Sequence, residues 1–319
     1  MLGLPSVLHR QTESNRCRWP GRQVPTKIRQ EIIIQRIDFK ASFKKRRLFS
    51  ERRRFYFINS NLAAVCIALA IASLGIANSV FANCGNPNIK EQAGVESVVD
   101  GDTIRLANHQ LVRLIGVNTP EIHYDGTPSE PLALAAKDFL ARLLRNHKTV
   151  GLAYEAETKD HYGRRLAHVF IDNGDSRSLV DVQLKLLENG LGFWVAIPPN
   201  IGFSSCYFAA EAKARQKNLG VWGDAYFNPK NAAEKTALKP GYQWLQGKII
   251  AVYRTKNSVW LKFNDQVALR IAGKDIHNFE MSALYALKGK TLTARGWLHR
   301  QNHRLTMQIR LPAAMELQP

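Results

Sequence analysis

The stretch Val112-Arg113-Leu114-Ile115-Gly116-Val117-Asn118-Thr119-Pro120-Glu121 decides the fold of this 319-residue chain. Its first half continues an extended, partly buried pattern that runs from about Val95 to Val117 and is marked by Leu106, Leu111 and Leu114. The polar tetrapeptide Ala107-Asn108-His109-Gln110 interrupts that pattern as a turn between strands. Upstream, Val98-Val99-Asp100-Gly101-Asp102-Thr103 has the composition of a turn joining two strands. Downstream, Pro120 sets Glu121 on a rigid turn at a strand end.

Further out, Leu132, Leu134, Ala135, Phe139, Leu140, Leu143 and Leu144 recur at helical spacing and predict a helix over 130–145. Strands are predicted at 148–154 and 166–171, and helices at 179–189, closed by Gly190, and at 207–217, closed by Gly220. Strands followed by helices give an α+β, mainly β, domain over 83–228. Residues 229–240, with Pro229, Pro240, three lysines and three alanines, read as a linker. Beyond it, 246–253, 258–263 and 266–271 alternate apolar with polar residues. An amphipathic stretch follows at 275–287, then two more strands at 291–298 and 305–309. Three strands, a helix and two strands predict a second small closed β-barrel of OB type over 241–317, since closure hides its sheet edges. Trp244, Trp260 and Trp297 in this part either stack on bases or fill and rim the barrel.

Charge is unevenly spread. The chain holds 45 Lys and Arg against 26 Asp and Glu, for a net charge of +19. Residues 1–56 carry 15 and 4 of these, 57–82 none, and 83–319 carry 30 and 22. A basic surface attracts polyanions by releasing their counterions, so nucleic acid is a reasonable partner, although charge alone fits equally a basic protein with no anionic ligand. Segment 1–56 reads as a disordered basic tail or as a start codon placed too early. Segment 57–82 follows Lys44-Lys45-Arg46-Arg47 and Arg52-Arg53-Arg54 and ends in Val80-Phe81-Ala82. That pattern predicts a signal peptide cleaved after Ala82, with a membrane anchor as the alternative. Either way, residues 83–319 are expected outside the cytoplasm, secreted or periplasmic, meeting the membrane only if the segment is uncleaved. The chain is taken as a monomer. Of four cysteines, Cys84 and Cys206 follow this segment, so either they form a disulfide or they remain two thiols. No CxxC or Cys/His grouping points to zinc. His299 and His303 read as part of a basic hairpin rather than as ligands.

The residues around the opening stretch suit phosphodiester hydrolysis. Attack on this anionic ester concentrates charge on the phosphoryl oxygens. Cationic donors, a hard divalent ion and a base for water answer that need. Arg113 and Arg164 can make bidentate contacts, Asp102 and Asn118 offer oxygen ligands, and Glu121 can reach a water. Taken singly, each motif is explained as well by turn chemistry or a solvent-facing strand position.

As a set, Asp100-Gly101-Asp102-Thr103, Arg113 to Glu121, Asp160-His161-Tyr162-Gly163-Arg164 and Leu219-Gly220-Val221-Trp222 resemble the staphylococcal nuclease family in order and spacing. The resemblance covers roughly 96–223 and implies a five-stranded OB-type barrel with three helices. It implies Asp102, Asn118 and the Thr119 carbonyl as calcium ligands, with Arg113 and Arg164 stabilising the transition state. Glu121 is then the carboxylate that orients or deprotonates water, and Tyr162 lies against the bound nucleotide. The activity implied is calcium-dependent hydrolysis of DNA, and of RNA as well. One departure is Asn118, where the family archetype carries aspartate, so calcium binding should be weaker. Another is the stretch 122–131, which lacks the archetype's lysines. Two other readings stay open: a catalytically inactive nucleic-acid-binding protein of the same fold, and an envelope adaptor acting through the second barrel.

Overall fold

A computed structural model describes residues 87–174, 179–234 and 238–318. The expectations for 1–56, for 57–82 and for Cys84 lie outside these residues. The first barrel begins with β1 (Glu91–Asp100), β2 (Thr103–Leu106), β3 (Leu111–Leu114) and the short β4 (Val117–Asn118). Helix α1 (Ala133–Leu144), β5 (Thr149–Ala153), β6 (Arg165–Asp172) and β7 (Leu179–Asp181) follow, then α2 (Val182–Glu188), β8 (Phe193–Trp194) and α3 (Ser204–Gln216). Strand β1 closes the barrel by bending. Glu91–Gly94 pairs with β5, whereas Val95–Asp100 pairs with β2. The ring runs β1-β2-β3-β6-β5 and back to β1, with β3 and β6 parallel. This is the five-stranded OB-type barrel with three helices that the family resemblance implies.

The barrel interior is apolar because inward positions alternate along each strand. Ile104, Leu106, Val112, Leu114, Leu152 and Val169 are all buried there. Helix α1 lays Ala133, Ala136, Leu140 and Leu144 on the core, a three-to-four-residue spacing that forms one stripe. Each leucine so buried contributes about 1.5–3 kcal/mol. The helix expected at 179–189 begins instead at Val182. Asp181 adopts an extended backbone and its side chain accepts from Leu184 N at 2.9 Å, so it caps α2, and Leu179–Asp181 pairs with β6 as a strand. Cys206, buried on α3, is disulfide-bonded.

Residues 229–240, expected as a linker, join the second barrel's packing. Strand β9 (Lys230–Asn231) pairs in parallel with β10 (Gly241–Lys248), and Ala232 and Leu238 enter the second core. That core is enclosed by β10, β11 (Ala251–Thr255), β12 (Ser258–Lys262), β13 (Val267–Ala272), β14 (Thr291–Gln301) and β15 (Arg304–Gln308). The strand expected at 246–253 is broken at Ile249-Ile250. Its first part, β10, pairs with β14, and its second, β11, pairs with β12. Taken as one bent strand, β10–β11 completes the same ring as in the first barrel, again with a parallel pair, β13 with β15. The amphipathic stretch between them is a 3-10 turn, Gly273–Asn278, and a short helix α4 (Met281–Tyr285). The sequence reading missed β16 (Met315–Leu317), which pairs with β14. Asn302 and His303, both at positive φ, form the two-residue turn of the β14–β15 hairpin, as read for a basic hairpin.

Aromatic residues cement the two barrels. Phe193 stacks on Tyr242 at 5.4 Å and meets Trp222 edge-on at 5.3 Å, and Trp222 packs edge-on against Trp244. The Leu219-Gly220-Val221-Trp222 motif reaches this cluster because Gly220 passes against Gly190. A Cβ on Gly220 would lie 2.1 Å from the Gly190 carbonyl oxygen. Trp244 is buried here, whereas Trp260 and Trp297 sit on outward strand positions.

Candidate active site

The β1–β2 turn brings Asp100, Gly101 and Asp102 beside β3 and β4. Gly101 has no room for a side chain, since a Cβ there would stand 2.6 Å from Thr119 Oγ1 and 2.7 Å from Ala136 Cβ. This contact presses the turn against the Thr119 side chain and helix α1. Asp102 is buried. Its Oδ2 accepts from Thr119 N at 2.9 Å and meets Arg113 Nη2 at 2.9 Å, and its Oδ1 accepts from Thr103 Oγ1 at 3.2 Å. Arg113 Nη2 also donates to Asn118 Oδ1 at 3.1 Å, while its Nη1 donates to the carbonyls of Leu114 and Val117 at 2.8 Å. One guanidinium therefore spans the β3–β4 bend and joins two of the expected calcium ligands. Asn118 is held in turn by β8, whose Phe193 stands opposite it in the ladder.

Electrostatics separate these carboxylates from ordinary ones. Burial pushes the Asp102 carboxyl up to about 7, against the opposing pull of Arg113, and the negative charge of Asp100 adds to the rise. Glu121 lies at the solvent-accessible rim, yet desolvation by the surrounding protein is the largest cause raising its pKa. Arg113 and Arg164 oppose that rise, and Asp100 and Glu130 reinforce it. The charges of both arginines thus act on Glu121.

Arg164 follows the turn Asp160–Gly163. Its Nε donates to Asp160 Oδ2 at 2.7 Å, and its guanidinium lies 5.4 Å from the centre of the Tyr162 ring. Tyr162 is 74% exposed, with the His161 ring packed beside it at 3.7 Å. The structure thus gathers Asp102, Arg113, Asn118, Thr119 and Glu121 through hydrogen bonds and charge, with Arg164 and Tyr162 on the neighbouring turn. Cys206 stands apart on α3. Sequence reasoning gave no role to Asp100, whose Oδ1 accepts from Asp102 N at 3.0 Å, although the Asp-Gly-Asp spacing carried the signal. It also missed Glu130, which no motif marks. Glu130 Oε2 accepts from Glu121 N at 2.9 Å, and Glu130 N donates to Glu121 O, so the loop 121–130 closes at its ends.

The oxygens here form a hard donor set: a carboxylate from Asp102, an amide oxygen from Asn118 and the Thr119 carbonyl. Among the described residues, no three His, Cys, Asp or Glu side chains form a metal cluster by themselves. The set fits a hard divalent cation nonetheless, because amide and backbone oxygens complete it. A buried carboxylate raised to about 7 is also a group that such a cation would stabilise in its charged form.

Comparison with known proteins identifies the family of the first barrel. A family model described as staphylococcal nuclease homologue matches residues 111–224. The thermonuclease of Staphylococcus intermedius is 38% identical over 131 residues, covering 40% of this chain and 74% of its own length. That of Staphylococcus hyicus is 32% identical over 173 residues, covering 52% of this chain and 98% of its own. A probable endonuclease LCL3 of Phaeosphaeria nodorum is 31% identical over 134 residues, covering 40% and 44%. On these matches, the chain belongs to the staphylococcal nuclease family.

Proposed function

We propose that this chain is an exported, calcium-dependent nuclease that hydrolyses phosphodiester bonds in DNA and RNA and acts as a monomer. The observation that carries the reading is the single Arg113 guanidinium joined to both Asp102 and Asn118, with Glu121 within reach of its charge. Asp102, Asn118 and the Thr119 carbonyl would hold calcium, which when bound supplies a Lewis acid for a phosphoryl oxygen. Arg113 and Arg164 bind and orient the anionic ester and oppose its growing charge. Asp160 fixes Arg164 for this task, and the exposed Tyr162 ring receives the nucleoside. Glu121 takes a proton from water, and its raised pKa makes it a stronger base than an ordinary glutamate.

The test compares heat-denatured DNA and RNA with the full chain in millimolar calcium and in chelator, alongside Glu121→Gln and Arg113→Ala. Calcium-dependent cleavage that falls by about 100-fold or more in each variant supports the reading. Binding without cleavage under any divalent ion would instead favour the inactive binding module. Export rests on the basic cluster and the uncharged segment 57–82, and is tested by N-terminal sequencing of the protein recovered outside the cytoplasm. An unprocessed, membrane-bound product would favour the anchor.

A further inference from the structure

The net positive charge of residues 83–319 lies on the second barrel. Residues 83–228 hold 15 Lys and Arg and 17 Asp and Glu, whereas residues 229–319 hold 15 against 5. The first barrel, which carries the phosphodiesterase site, therefore has no net positive charge. The long-range attraction for a polyanion lies on the second.

On that second barrel a row of outward side chains crosses four strands. Tyr253 of β11 stands opposite Trp260 of β12, Trp260 opposite Arg270 of β13, and Arg270 opposite Gln308 of β15. Inward positions on β12 and β13 are filled by Val259, Leu261, Leu269 and Ile271, so this row contributes nothing to the core. Tyr253 is 43% exposed. Arg270 lies 5.8 Å from the centre of the Trp260 ring, and its Nε donates to Ser258 Oγ at 2.9 Å. No carboxylate among the described residues pairs with it. The β13 residues that flank Arg270 on this face are Ala268 and Ala272, opposite Lys262 and Ser258. Trp260 is half-buried, with Arg270 over its ring, and the small neighbours leave its remaining surface and the exposed Tyr253 ring facing outward. An aromatic pair beside an unneutralised guanidinium, on a barrel with threefold more cationic than anionic residues, has two complementary elements. The rings offer faces for bases, and the cations offer partners for phosphates.

We propose that the outward face of β11–β12–β13, through Tyr253, Trp260 and Arg270, binds single-stranded nucleic acid at a site separate from the phosphodiesterase centre. Unpaired bases stack on Tyr253 and Trp260, while Arg270 and the surrounding lysines follow the backbone. Duplex DNA, whose bases are already stacked on one another, is held there only by charge. The proposal rests on the nuclease reading only for its kinetic consequence; binding itself does not depend on cleavage.

The experiment uses the full chain in two forms. In a Glu121→Gln background, fluorescence anisotropy measures affinity for a labelled oligothymidylate, with and without Trp260→Ala, Trp260→Phe and Arg270→Ala. Trp260→Ala is expected to weaken binding at least about fivefold, and Trp260→Phe to restore most of it. Arg270→Ala should lower the slope of log affinity against log salt by about 0.7. In the active chain, Trp260→Ala should raise KM for long single strands and leave hydrolysis of a small nitrophenyl phosphodiester unchanged. Unaltered oligothymidylate affinity in Trp260→Ala, or equal losses for oligothymidylate and duplex, overturns the proposal. So does capture of a protein partner by this face without any change in nucleic-acid affinity. An inactive wild-type chain would refute the nuclease reading while leaving the anisotropy result to decide this one.

Discussion

Glu211 of α3 and Arg295 of β14, one from each barrel, meet at 2.6 Å with their side chains 4% and 5% exposed. The same carboxylate accepts from Trp194 N, and the Arg295 guanidinium lies between the rings of Trp194 and Trp244, at 5.1 and 4.9 Å from their centres. Trp194 belongs to β8, which pairs with the strand carrying Asn118. A chain of contacts therefore runs from the second barrel to an expected calcium ligand.

Removing one member of this pair leaves a buried charge without its partner. Glu211→Gln and Arg295→Met are each expected to destabilise the protein by about 3–5 kcal/mol, and Glu211→Leu with Arg295→Met together by much less. Urea unfolding of the three variants measures this. Equal losses for single and double variants would show that packing, not charge, dominates here.

The pH dependence of Arg295→Met has a definite sign. Burial already raises the Glu211 pKa, and Arg295 is the largest influence opposing that rise. Without Arg295 the folded protein holds a proton on Glu211 at pH values where the unfolded chain has lost it. Stability of this variant then increases as pH falls from neutral towards the ordinary glutamate value, relative to wild type. Melting temperatures at several pH values test the trend.

Asn118 gives the site one negative charge fewer than an aspartate would. Asn118→Asp should lower the calcium concentration for half-maximal activity by about tenfold, since ligand charge tunes calcium affinity. Calcium titration of the cleavage rate provides the check, and an unchanged midpoint would remove Asn118 from the ligand set.

Gly101→Ala forces a methyl against Thr119 and Ala136. The expected result is a drop in cleavage of about tenfold or more with a stability cost of about 1–3 kcal/mol, because the Thr119 side chain and α1 must both give way. Activity and melting temperature measured on the same preparation separate the two effects.

The barrel strands were legible because Leu106, Val112 and Leu114, and later Val259, Leu261 and Leu269, alternate with outward residues, among them Leu111. The site residues were legible because they cluster in short motifs along one stretch of chain. Long-range contacts were not. The β4–β8 ladder joins Asn118 to Phe193 across 75 residues, with only two residues in each strand. The buried chain of hydrogen bonds linking Glu155, His168, Tyr207 and Asp181 draws its members from one loop and three separate elements, so no local spacing announces it. Residues 179–181 misled because apolar residues there fit a helix as well as a strand until Asp181 is seen as a cap.

The aromatic and ionic cement between the barrels gives the molecule a fixed internal length. Phe193, Trp222, Tyr242 and Trp244 interlock across the junction, and the connecting segment is stitched into the second sheet by β9, which leaves little slack for one half to swing against the other. If a strand lies along Trp260 while another part of it enters beside Arg113, the distance between grip and cut is built into the protein. Such an enzyme acts as a ruler. Its early products should cluster around one fragment size, and loosening the junction at Glu211 should broaden that distribution before it slows cutting.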